Sequence, residues 1–70
     1  MWESVKSSNI AMVSYDKEEK QLDIIFGKTG NQYKYLNVSL QRFNNLMKAE
    51  SIGSYFAKMI RPNYKAEKVV

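Results

Sequence analysis

The sequence predicts an α+β fold, a three-stranded antiparallel β-meander followed by two short α-helices packed on one of its faces. Three observations lead there. Apolar residues recur with a period near two as far as Leu36 and near 3.6 after Val38. A glycine-bearing segment, Gly27 to Asn31, separates two of the period-two runs in the manner of a hairpin. The chain has 70 residues and no cysteine, so one compact apolar cluster must hold a single domain together.

The first strand is Ile10 to Tyr15, which follows the polar Ser7, Ser8 and Asn9. Its apolar residues fall on both parities, a pattern expected of a bulged strand or of one covered on both faces. Asp16 to Lys20 is a charged turn. In the second strand Leu22, Ile24 and Phe26 alternate with Asp23 and Ile25, so the first set faces a core and the second mostly faces out. Gly27-Lys28-Thr29-Gly30-Asn31 supplies residues that tolerate positive φ and leads into the third strand, Gln32 to Leu36.

Ser39 is then a candidate N-cap for a helix with the stripe Leu40, Phe43, Leu46 and Met47. Ser51 restarts the helical signal, and Ile52, Tyr55, Phe56, Met59 and Ile60 keep helical spacing until Pro62 ends the segment. Gly53 inside the second helix costs ~1 kcal/mol against alanine, which suits a residue that permits close packing. Tyr64 is expected to tuck back as a last apolar anchor, and residues 1–8 and 65–70 are expected to fray. Three strands are not stable alone, so both helices should lie across one face of the sheet.

Parity orients the central motif Tyr33-Lys34-Tyr35. The two tyrosines share a face, and a lysine ammonium resists burial far more than a phenol, so the rings should point toward the helices and Lys34 outward. The open face then carries Ile25, Leu36, Lys34, Gln32, Asp23 and one parity of the first strand, with Ile10 and Met12 as its candidates. Such a face lacks the aromatic ladder on which single-stranded RNA is usually read across a sheet.

Net charge is +4 and unevenly distributed. Residues 1–30 hold four cations against five carboxylates, whereas residues 31–70 hold seven cations against two. That asymmetry is the footprint expected where a polyanion docks. With neither histidine nor cysteine, zinc, redox and triad chemistries are disfavoured, and no cofactor or metal is expected. No apolar run approaches the ~18 residues of a membrane span, and the N-terminus lacks the features of a signal peptide, so a cytoplasmic protein without membrane contact is expected.

Two local motifs invite chemistry and do not sustain it. Gly27-Lys28-Thr29 matches the end of a phosphate-binding loop, but Leu22 stands where that loop needs glycine and a strand follows where it needs a helix. Asp16, Glu18, Glu19 and Asp23 are interleaved with Lys17 and Lys20, which makes a charged hairpin tip of the cluster. No serine or lysine has a histidine partner, so an enzyme is not expected.

Taken together, Val5-x-Ser7-Ser8-x-Ile10, Val13-x-Tyr15-Asp16, Leu22-x-Ile24-x-Phe26, Gly30-x-x-Tyr33-x-Tyr35, Val38 and Ala49-x-Ser51-x-Gly53-x-Tyr55-Phe56, with Ile60-Arg61 and Tyr64, resemble the KTSC domain. That family is named for its occurrence at the C-terminus of some lysyl-tRNA synthetases and also occurs as free-standing bacterial and phage proteins of about this length. Many relatives have proline where this chain has Ser39. The resemblance implies a fold, carries over no catalytic residue and, through the synthetases, suggests RNA as a ligand. The expectation is therefore a noncatalytic domain that engages RNA phosphates through Lys34, Arg42, Lys48, Lys58 and Arg61, with Tyr33 and Tyr35 mainly structural. The alternative is protein interaction or self-association, as a dimer, through the outer sheet face and an unpaired strand edge.

Overall fold

A computed structural model describes residues 2–7 and 9–69 of the chain. Its sheet has five strands in the order of the sequence, every neighbouring pair antiparallel. They are β1 (Trp2–Ser4), β2 (Ile10–Asp16), β3 (Gln21–Phe26), β4 (Gln32–Tyr35) and β5 (Ala66–Val69). Between β4 and β5 run α1 (Leu40–Lys48) and α2 (Ile52–Tyr55), and α2 continues into a π-helical turn, Phe56–Ile60.

The α+β class and the central meander are as the residue pattern implies, and the strand count is corrected from three to five. Both added strands lie in segments expected to fray, where Trp2–Ser4 pairs with β2 and Ala66–Val69 pairs with β4. Residues Met1, Ser8 and Val70 of those segments lie outside the described residues. The reason for the difference is physical. Each added strand is a short sheet edge exposed at every position, so it has no buried face to impose the alternation by which a strand is recognised.

The turns behave as their residues dictate. The Asp16 carboxylate accepts the Glu18 and Glu19 backbone N–H groups at 3.0 and 3.2 Å, so it serves its own hairpin. In the β3–β4 hairpin Gly30 takes φ +72° and donates its N–H to the Phe26 carbonyl at 2.8 Å. A side chain at that φ would be strained, which is why the tip needs glycine.

A bulge between Ile10 and Met12 explains the double parity of β2. It moves Ile10 to the inner face opposite Phe26 while Met12 stays on the outer face opposite Ile25. Ile10 is 1% exposed, so its expected place on the open face is corrected. The inner face of Ile10, Val13, Leu22, Ile24 and Tyr35 packs against Val38, Leu46, Phe56 and Ile60 in one core.

The predicted cap forms, since Ser39 accepts the Arg42 N–H at 3.1 Å, and Ser51, where the helical signal restarts, caps the second helix by accepting the Ser54 N–H at 3.2 Å. Within the predicted stripes Leu46, Phe56 and Ile60 are buried, but Leu40 is 48% and Met59 37% exposed. The π-helical turn, closed by an Arg61 N–H to Phe56 carbonyl bond of 2.9 Å, changes the angular spacing after Tyr55. It keeps Phe56 and Ile60 inward and leaves Met59 outside.

Gly53 has the packing role its position implies. A Cβ there would stand 2.9 Å from Ser7 Oγ, which itself accepts the N–H groups of Asn9 and Ile10. Tyr64 does return to the core, and its phenol oxygen accepts from Arg42 Nε at 3.2 Å.

Candidate functional site

Alternation sends Tyr33 and Tyr35 to the helical side, but the two rings meet different surroundings. Tyr35 is 3% exposed, with its ring 5.3 Å from that of Phe56 at a near-perpendicular angle. Tyr33, one pleat nearer the β3–β4 hairpin, is only half-buried and sets its ring 5.7 Å from Phe26 in an edge arrangement. Phe26 in turn meets Phe56 at 5.7 Å, so the four rings form a continuous chain from core to surface.

Where that chain surfaces, a cleft of about 410 Å³ opens between the β3–β4 hairpin and the second helical segment. Phe26, Tyr33 and Phe56 line its apolar part, and Asn9, Asn31, Lys28 and Arg61 bring polar atoms to it. Among the described residues no carboxylate lines it, and neither Lys28 nor Arg61 is ion-paired. Lys68 of β5 stands opposite Tyr33 in the strand ladder and adds a further cation to this end of the sheet.

Arg61 also acts on Tyr35 electrostatically. Burial raises the Tyr35 phenol above its ordinary value, the nearby guanidinium partly offsets this, and Tyr33 adds a smaller upward contribution. A positive charge is therefore held close to the ring cluster. It remains exposed to solvent.

The five cations expected to bind RNA do not share one surface. Lys34 lies on the outer face, 3.5 Å from Glu67 and opposite Asp23 in the ladder. Arg42 is used internally, donating to Tyr55 Oη at 3.1 Å and to Tyr64 Oη at 3.2 Å. Those two hydrogen bonds hold its pKa above the ordinary arginine value. Lys48 is exposed in the last turn of α1, where a cation suits the helix dipole. Lys58 and Arg61 share the π-helical turn or its cap and are exposed, and only Arg61 reaches the cleft.

Lys28, Asn9 and Asn31 are not among the expected site residues. Lys28 carries a signal of sorts, since it lies in the glycine-bearing turn whose match to a phosphate loop fails. The asparagines carry none, because the cleft is assembled from separate stretches of chain.

A second, larger groove of about 580 Å³ runs by Trp2, Asp23 and Gln32. There both oxygens of Asp23 are already occupied by amides, from Gln21 Nε2 at 2.8 Å and Gln32 Nε2 at 2.9 Å. With Lys34 paired to Glu67 as well, the outer face satisfies its own charges. No helix among the described residues is long and apolar enough to cross a membrane.

The family model of the KTSC domain matches residues 6–64 of this chain. Among solved structures, the crystal structure of a KTSC domain protein from Yersinia pestis is similar at a TM-score of 0.94 and 31% sequence identity, covering 100% of this chain and 97% of that one. The curated proteins contain no match.

Proposed function

This chain belongs to the KTSC domain family, and from that premise we propose that it is a small noncatalytic binding domain whose ligand is RNA. The observation that carries the reading is the contrast in charge between the two sides of the sheet. The cleft end presents Lys28 and Arg61 with no carboxylate among its described lining residues, whereas the outer face pairs Lys34 with Glu67 and saturates Asp23. Unpaired cations around a polyanion gain by releasing its counterions; paired ones gain little.

On this reading Arg61, Lys58 and Lys28 hold phosphates, and Lys48 adds to the field. Lys34 and Arg42 leave the set because their side chains are engaged within the protein. A noncatalytic role is supported by the chemistry of the cleft, whose described lining has no carboxylate, histidine or cysteine to act as base or nucleophile.

Labelled RNA titrated at a series of salt concentrations tests the proposal. Affinity should fall linearly on logarithmic axes, and Lys58→Glu with Arg61→Glu should weaken all sequences alike and lower the slope by about 1 for each phosphate no longer neutralised. Undetectable or salt-insensitive binding defeats it. The competing reading, association through the outer face, draws on Trp2 and Val69, both exposed at the sheet edges. Light scattering across a concentration range would reveal it as a rising mass.

A further inference from the structure

We infer that the cleft is the seat of a single unpaired nucleotide, its base against the rings of Phe26 and Tyr33 and its phosphate toward Lys28 and Arg61. The inference rests on the RNA reading above and deepens it, because it assigns a site and a strandedness that phosphate binding alone does not supply.

Four features of the cleft converge on such a ligand. Its volume of about 410 Å³ lies within the range of roughly 300–1,000 Å³ usual for small-molecule sites. Phe26 and Tyr33 are half-buried, so each keeps ring surface open to a ligand, and Phe56 beneath them is 3% exposed and closes the floor. A phosphate gains nothing from aromatic walls, whereas a nucleobase stacks on them.

Asn9 and Asn31 both line the cleft, and the side-chain amide of neither makes a hydrogen bond among the described residues. Each presents donors and an acceptor, the complement that base edges require. Lys28 and Arg61, unpaired on the same lining, supply the counter-charge for one phosphate. Base, edge and phosphate are thus each matched by a different group of side chains.

The cleft also discriminates by strandedness. Bases inside a duplex are stacked and paired, so they cannot offer a ring to a pocket between a hairpin and a helix. The domain should therefore prefer single-stranded RNA at fixed salt.

The test compares the full chain with variants against three probes: a mixed-sequence single-stranded RNA, the same sequence as a duplex, and millimolar adenosine and uridine monophosphates followed by amide chemical shifts. Expected are tighter binding of the single strand than of the duplex, and mononucleotide shifts at Asn31, Ala57 and Arg61. Tyr33→Ala should reduce single-strand affinity at least about fivefold, in line with the loss of one stacked base. Because Tyr33 also packs on the core, Ala57→Leu serves as the second variant, since it fills the cleft from an exposed position without changing charge.

Ala57→Leu should lower single-strand affinity and leave duplex affinity unchanged. Equal affinity for both strand forms, or single-strand binding unmoved by Ala57→Leu, overturns the inference; if the paired charge reversals still abolish binding, the RNA reading survives it. Mononucleotide binding with no RNA binding does the reverse, keeping the site and removing the polymer. If no probe binds, both fall.

Discussion

Two arginines in this domain each sit beside two tyrosines, and they serve opposite ends. Arg42 donates to the phenol oxygens of Tyr55 and Tyr64, tying α1 to α2 and to the segment that leads into β5. Arg61 stands by Tyr33 and Tyr35 with no side-chain hydrogen bond or ion pair among the described residues, and it opens on the cleft. An arginine that gives two of its donors to phenols of the fold is a strut; one that gives none and stands where a half-buried ring meets a cleft is available to a ligand. Residue type and aromatic company are the same in the two places, and what tells them apart is the hydrogen-bond partners together with burial, Arg42 being half-buried and Arg61 exposed.

The largest loss is expected on removing the ring on which the Arg61 side depends. Phe56 touches both Phe26 and Tyr35, so Phe56→Ala should cost about 3–5 kcal/mol. That is comparable with the whole margin expected of a domain this small, and urea denaturation should find it largely unfolded.

Exchanging the arginines one at a time sharpens the contrast. Arg42→Gln should lower the urea midpoint and leave RNA affinity per folded molecule unchanged. Arg61→Gln should do the opposite, with stability changed by no more than about 0.5 kcal/mol, as for an ordinary surface substitution. Measuring both quantities on both variants checks the assignment, and a stability loss at Arg61 equal to that at Arg42 would erase the distinction.

A smaller effect is expected at Gly53, on the wall between the cleft and the Ser7 turn. Alanine at an open helical site is favourable by up to ~1 kcal/mol. Here its Cβ would stand 2.9 Å from Ser7 Oγ, so Gly53→Ala should instead destabilise by about 1 kcal/mol. Thermal melts of the double variant with Ser7→Ala should show part of that loss recovered.

The smallest expected effect concerns alkaline pH. Tyr35 has its folded pKa raised, chiefly by burial, so the folded state binds its phenolic proton more tightly than the unfolded state does. Stability from this group is whole below the ordinary phenol value near 10 and is lost as pH rises through the higher folded value. Tyr35→Phe should therefore flatten the alkaline fall in stability, with Tyr15, shifted in the same direction, accounting for part of what remains.

Much of the fold is legible in the sequence because its signals are local. Leu22, Ile24 and Phe26 alternate over a half-buried strand, and Ser39 and Ser51 each cap the helix that follows. Placing Tyr33 and Tyr35 inward and Lys34 outward requires only parity and the cost of burying an ammonium. The edge strands are hidden because exposed strands impose no pattern, and Ile10 turns to the face opposite the expected one because a bulge cancels parity where it occurs. Leu40 and Met59 keep helical spacing and still lie outside the core, which shows that periodicity names a stripe without locating its margins.

The candidate site is harder to foresee. Arg61 is expected to bind and does reach the cleft, but Lys34 and Arg42 have identical charge and are expected to act with it. Nothing near Arg42 in the chain announces that Tyr55 and Tyr64, 13 and 22 residues away, will take two of its donors.

What the amino-acid order determined by itself is whatever depends on neighbours within a few residues: strand and helix type, capping, the hairpin at Gly30 and which side of the sheet each ring faces. The tertiary structure decided how deep each ring sits, which cations are spent on internal partners, and that Asn9, Lys28, Tyr33 and Arg61 border one cleft. Those outcomes depend on distances between segments far apart in the chain, and such distances exist only once the helical layer has closed over the sheet.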